Sequence, residues 1–203
     1  MGQFVSDEIA GPLNADFFLG LPESHCHRVA PVLLEENLGK ARKLPDSGPY
    51  AARALNWISP PLTALDVNRK DIRAAELPAA NGIGSARSIA KIFAATFSTI
   101  NGVRLLSSSS MNRARREAWR GLDLVMGVEN ALGLGFLLPT ERCPLGGPGS
   151  FGTAGLGGSR AWVHPELELA LGYTPNLCSL AHFDPREVAL SRTAVMCAER
   201  LKS

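Results

Sequence analysis

Seven of the chain's 203 residues between positions 146 and 158 are glycine. No feature narrows the fold more. A helix interior does not carry that density, because each glycine there costs about 1 kcal/mol against alanine. Around the glycines run Phe151–Gly155, Ser159–Val163 and Leu167–Tyr173, rich in aromatic, branched and aliphatic residues. His164-Pro165-Glu166 stands between the last two. The pattern predicts three short strands joined by tight turns. A plain flexible loop is the alternative. The strand-like flanks instead suggest that the glycines let the backbone approach another group closely.

The rest of the chain supplies helices. Ser85 is an N-cap for Ala86–Ile100, where Ile89, Ile92, Phe93, Thr96, Phe97 and Ile100 share a face and Asn101-Gly102 ends the run. Ser107–Ser110 caps a second helix through Met111–Arg120. Asp184 and Pro185 open a third, to Leu201, with Val188, Val195, Ala198 and Leu201 as its apolar positions. Residues 2–10 resemble a helix end stopped by Gly11-Pro12. Asp16–Pro22 is extended, and Glu23–Leu34 holds at most a short helix. Tyr50–Ile58 is a helix, and Asp66–Glu76 is loop-like within the proline-broken stretch 37–80. Leu122–Met126 and Leu132–Leu138 are strands, followed by a Pro/Gly loop over 139–149.

Composition excludes several classes. The apolar fraction of 45% suits one globular domain, residues 1–203. A net charge of +2 without a basic stripe gives no basis for nucleic-acid binding. No apolar run approaches a membrane span, and the N-terminus lacks the regions of a signal peptide. Met1-Gly2 with Ser6 is only a weak myristoylation pattern. Cys26, Cys143, Cys178 and Cys197 form no CxxC pair, so reduced thiols and a cytoplasmic setting are expected. His25-Cys26-His27 is too tightly spaced to converge on one metal ion. His164 at its turn and His182 are lone histidines, and His164 is expected in solvent.

Three segments, in order, resemble the serine β-lactamase / penicillin-binding-protein-like esterases. Gly11–Glu23 is similar to the family's PLG-x-DF-x-IGLP stretch. Pro78–Ser88, with Asn81-Gly82-Ile83-Gly84, is similar to its NG-x-G loop and helix. Phe151–Ser159 is similar to its FGH-x-G-x-GGS strand. The resemblance implies an α/β (α+β) fold, with antiparallel strands flanked by helices. It implies acyl transfer by a serine of a Ser-x-x-Lys motif, with lysine and a Tyr-x-Asn tyrosine moving protons and no cofactor or metal. It places Thr153, Ala154 and Gly155 in the third motif, continuing into Leu156 and Gly157. The Leu156 N–H becomes an oxyanion donor, a backbone role that leaves the side chain free to vary.

Departures from that pattern shape the functional expectation. Thr153 stands where many esterase relatives carry histidine. It can donate a hydrogen bond but carries no charge. Ile83 replaces another frequent histidine. The family's serine, lysine and tyrosine precede the first matching segment, so the domain is expected to be N-terminally incomplete. Ser88-Ile-Ala-Lys91 matches Ser-x-x-Lys literally but follows the segment it should precede. Gly147–Gly152 matches G-x-G-x-x-G but leads into a strand pattern, whereas a dinucleotide site needs a helix. No G-x-S-x-G elbow occurs. The reading is the C-terminal part of an acyl-ester hydrolase, inactive alone, whose substrate is a small acyl ester once an N-terminal half completes it. The alternatives are a non-catalytic assembly module that pairs with a separate half, and a decayed gene product. Unpaired strand edges and a part-bared helix predict association or poor solubility in isolation.

Overall fold

In the computed structural model, residues 1–34, 48–55, 65–155, 157–179 and 184–202 are described. Leu156, His182, Ile58 and, within the proline-broken stretch, residues 37–47 and 56–64 lie outside them.

A six-stranded antiparallel sheet forms the centre. Its strands are β4 (Trp119–Leu122), β5 (Glu129–Leu132), β6 (Leu137–Leu138), β7 (Phe151–Ala154), β8 (Arg160–His164) and β9 (Leu169–Tyr173), neighbours in chain order. The three strands expected from the glycine-rich region are thus β7, β8 and β9. Their register places Phe151 opposite Val163 and Val163 opposite Ala170.

Alternation along these strands sorts the side chains onto two faces. One face carries Phe151, Val163, Ala131 and Leu138, packed with Met111 and covered by Phe93 and Phe97. Phe136 meets Phe93 and Phe151 edge-on, at centroid distances of 6.2 and 4.9 Å. Phe93 and Phe97 come from α4 (Ala86–Phe97) and Met111 from α5 (Ser108–Ala114). The other face carries Trp162 with Leu169 and Leu171, and Val195 of α6 (Pro185–Lys202) packs against it. Helices therefore flank the sheet on both sides.

Short elements surround this body: α1 (Gly2–Phe4) continuing as a wider helical turn over Val5–Ala10, β1 (Phe17–Phe18), β2 (Leu33–Leu34), α2 (Ala51–Leu55), α3 (Lys70–Ala74), β3 (Ile83–Gly84) and β10 (Leu177–Cys178). β1 pairs with β3, and β10 with β2.

Local chemistry corrects several sequence expectations. The run Leu132–Leu138 is two strands, because Gly133 and Gly135 turn the chain and the Gly133 N–H bonds the Phe136 carbonyl at 2.9 Å. The strand expected at Leu122–Met126 instead ends at Leu122. There Asp123 Oδ1 accepts the N–H groups of Val125 and Met126 at 2.8 and 2.9 Å and bends the chain. α4 stops at Phe97, three residues early. Asn101-Gly102 is the tip of a two-residue turn, with Ile100 and Val103 exchanging hydrogen bonds of 2.8 and 2.9 Å. α5 ends at Ala114, not Arg120, since Trp119 already belongs to the sheet. Asp66–Glu76 holds a helical turn and α3. In α6, Leu201 points to solvent, 89% exposed. His164 is not solvent-borne: its side chain is 12% exposed, with Nδ1 3.4 Å from Glu166 Oε2.

Candidate active-site hairpin

The first two matched segments meet in space. Phe17 pairs with Gly84 and Phe18 with Ile83. The Ser85 N–H donates to the Asp16 carbonyl at 3.2 Å. The Phe17 ring lies so close over Gly82 and Gly84 that a Cβ at either would stand 2.7 Å from it. Asn81, 6% exposed, organises the loop before them. Its side chain donates to the carbonyls of Ile72 and Ala75 and accepts the Leu77 N–H.

Ser88 and Lys91 belong to this junction. Ser85 caps α4 by accepting the Ser88 N–H at 3.2 Å. The buried Ser88 hydroxyl oxygen accepts the Asp16 N–H at 2.8 Å and the Ser85 hydroxyl at 2.9 Å. Lys91 turns its ammonium to the carbonyls of Leu13 and Asn14, at 3.2 and 3.1 Å. Together they clamp residues 13–16 to α4, so the literal Ser-x-x-Lys has a structural occupation. Its serine is neither open nor directed at the lysine.

The third segment is the β7–β8 hairpin. β7 begins in the core at Phe151 and ends exposed at Thr153 and Ala154. Beyond it the Gly155 N–H donates to the Ser159 carbonyl at 2.8 Å, and the Gly158 N–H to the Gly155 carbonyl at 3.3 Å. Gly157 and Gly158 have φ of +89° and +96°, which only glycine adopts without strain. Thr153 stands opposite Ala161, which stands opposite Gly172. The Ala86 carbonyl of α4 packs directly on Gly172. Thr153 and the Asn81–Ser85 loop therefore lie at the same end of the sheet, on the α4 face. Leu156, between Gly155 and Gly157 in sequence, lies outside the described residues. The turn thus offers main chain with side chains stripped away at three positions.

Behind the hairpin is a buried polar network that the sequence did not reveal. Arg160 pairs with Glu187 at 3.1 Å, both side chains being 3% exposed, and donates to Cys143 Sγ at 3.0 Å. The Trp162 indole N–H donates to the Ser191 hydroxyl at 2.9 Å, and Ser191 donates to Glu187. Glu187 and Ser191 are one helical turn apart, and Arg160 and Trp162 share one strand face. That pairing of spacings is the signal that could have found them. Burial pushes the Cys143 thiol up despite the nearby arginine, so it stays protonated. All four cysteines are free.

His25 is packed against the Phe18 ring at 4.8 Å. Among the described residues no cluster of three or more histidine, cysteine or acidic groups could hold a metal. No helix among them is long and apolar enough to cross a membrane.

Comparison with known proteins matches this architecture. Residues 1–191 match the family described as Beta-lactamase. The chain is 30% identical over 186 residues to the Esterase/beta-lactamase LipL of Mycobacterium tuberculosis (strain ATCC 25618 / H37Rv), covering 84% of this chain and 41% of that protein. A family VIII carboxylesterase structure superimposes with a TM-score of 0.81 at 35% identity, covering 97% of this chain and 51% of that one. EstA from Arthrobacter nitroguajacolicus Rue61a gives a TM-score of 0.87 at 27% identity, covering 100% and 55%. The chain thus spans about half the length of these structures and less of the curated relative.

Proposed function

Since the chain belongs to the beta-lactamase family, we propose that it supplies the oxyanion side of an ester-hydrolysing site, built on Thr153, Ala154, Gly155, Leu156 and Gly157. The observation that carries this reading is the exposed end of β7, open at its tip yet continuous with the most buried part of the sheet. The relatives named as esterases make an acyl ester the substrate class.

In the chemistry that the resemblance implies, a serine oxygen gives its proton to the lysine–tyrosine pair as it attacks the ester carbonyl, and the carbonyl oxygen takes up the electron pair as an oxyanion. The Leu156 N–H and the serine's own N–H hold that charge. Collapse expels the alcohol, which takes a proton from the lysine–tyrosine pair, and water then releases the acid from the acyl-serine. Serine, lysine and tyrosine come from the N-terminal half in this account, and Ser88 takes no part. The chain alone hydrolyses nothing.

The test co-expresses this chain with the N-terminal half of a family VIII carboxylesterase and follows a short-chain p-nitrophenyl ester. Hydrolysis is expected only in the complex, with a loss of about a hundredfold or more in Leu156→Pro, which removes the N–H. Fluorophosphonate labelling of the chain alone that vanishes in Ser88→Ala overturns the reading. So does a hydrolysing, folded complex indifferent to Leu156→Pro.

A second reading, a non-catalytic assembly module, draws on two surfaces. β9 is the terminal strand of the sheet. The outer face of α6 presents a shallow groove along Val188, Ala189 and Met196. A tight complex without ester hydrolysis selects this reading.

A further inference from the structure

We infer that Asp184 and Arg186 are positioning residues for the hairpin tip at Gly157 and Gly158. The tip's part in hydrolysis rests on the function proposed above; the clamp itself rests on geometry alone.

A turn with glycine at three positions has the largest conformational freedom to lose on ordering. An oxyanion donor works only when it is held in place before the charge develops. Among the described residues of the hairpin, the Gly155–Ser159 ladder bond and the longer Gly158–Gly155 turn bond hold the tip. Further support comes from behind. The Ser179 N–H donates to the Gly157 carbonyl at 3.0 Å. Cys178 Sγ lies 2.9 Å from where a Cβ on Gly157 would stand, and Asp184 Oδ2 lies 2.6 Å from the same point on Gly158. The carboxylate is packed on the glycine backbone so closely that no side chain fits between.

That carboxylate is itself fixed. Asp184 is 1% exposed. Its Oδ1 accepts the Arg186 N–H and Nε at 2.9 Å each, and its Oδ2 accepts Arg186 Nη2 at 2.5 Å. The same Nη2 donates to the Leu177 carbonyl at 2.8 Å, tying the carboxylate to β10, the strand that leads into Cys178 and Ser179. β10 is braced in turn by β2, with Leu177 opposite Leu33. α6, which begins after Asp184, is pinned to the sheet by the Arg160–Glu187 and Trp162–Ser191 contacts. Among the described residues, Asp184 and Arg186 thus join the tip's rear wall to both β10 and the start of α6. A helix cap needs one acceptor for an N2 or N3 amide, which a surface serine provides. It needs neither a buried carboxylate, costly unless fully bonded, nor a forked arginine reaching a second strand.

The experiment compares Asp184→Asn, Asp184→Ser and Arg186→Lys with the parent. Hydrogen exchange is read on the peptide spanning 151–160 and, as an internal control, on the β9 peptide. In the full chain, Asp184→Asn should speed exchange at the tip about tenfold and leave β9 unchanged. Asp184→Ser, which still caps the helix, should loosen the tip equally, and Arg186→Lys should do so less. In the hydrolysing complex, kcat should fall about tenfold with KM within twofold. Unchanged tip exchange in folded variants overturns the clamp. Faster exchange with unchanged kcat overturns its part in positioning the donor. If the parent complex does not hydrolyse ester, the proposed function fails, and the exchange data decide the clamp by themselves. If Asp184→Asn does not fold, the serine and lysine variants carry the test.

Discussion

Two regions of this molecule invite opposite mistakes. Ser88–Lys91 on α4 has the spelling of a catalytic motif, and the Thr153–Gly158 hairpin has the spelling of a slack linker. In the fold the first is enclosed and committed: the Ser88 hydroxyl accepts two hydrogen bonds, and Lys91 is spent on two carbonyls. The second is open in front and gripped from behind by Ser179, Cys178 and Asp184. A nucleophile must be reachable, and a main-chain donor must be both reachable and still. Spacing alone distinguishes neither condition, whereas accessibility and hydrogen-bond occupancy distinguish both.

The contrast can be broken first at the seat of α4. A Cβ at Gly172 would strike the Ala86 carbonyl and stand 2.9 Å from the Ala90 nitrogen. Gly172→Val should therefore destabilise the chain at the upper end of the about 1–3 kcal/mol typical of overpacking. Chemical denaturation measures it, and a loss below about 0.5 kcal/mol would mean that α4 does not sit where described. Ser88→Ala comes next. It leaves the Asp16 N–H without its acceptor and should cost about 1–2 kcal/mol in unfolding free energy, with ester hydrolysis by the complex unchanged within twofold. A variant equally stable but inactive would reverse the roles of the two regions.

Thr153→His is smaller and acts on the other side. One positioned, chargeable hydrogen-bond donor should raise hydrolysis by the complex about tenfold, about 1.4 kcal/mol in the barrier, with stability unchanged. The smallest effect is in pH. Arg186 holds the Asp184 carboxyl below its ordinary value, with Arg160 adding a weaker pull and burial opposing both. A folded-state pKa below the unfolded one stabilises the fold above the ordinary carboxyl range, about 3.9, and that contribution is lost as pH falls through the folded value. The stability gap between parent and Asp184→Asn should therefore narrow from pH 6 to pH 3. The gap for Ser88→Ala, which rests on a neutral hydroxyl, should stay flat over the same range.

How much of this was legible in the sequence follows the range of the forces involved. The three glycine-punctuated strands and the caps at Ser85 and Ser107 are set by residues a few positions apart, and there sequence and structure agree. The joining of Gly11–Glu23 to Pro78–Ser88 was legible only as a shared resemblance, since a two-residue pairing leaves almost no periodic trace. Asn101-Gly102 was read as a helix stop because a turn residue looks the same in both settings. Asp184 was identified as a cap, but its burial depends on Gly158, 26 positions away, lacking a side chain. His164 was expected in solvent because its turn is local, whereas its burial is tertiary.

One structure tests directly whether the hairpin turn holds the developing oxyanion. In the complex with an N-terminal half, a phosphonate ester that traps the serine places a charged oxygen where the oxyanion forms. That oxygen is expected about 2.7–3.1 Å from the Leu156 nitrogen, with Gly157 and Gly158 still resting on Cys178 and Asp184. A trapped serine whose phosphonyl oxygen points away from the turn, satisfied wholly by groups of the other half, would contradict it.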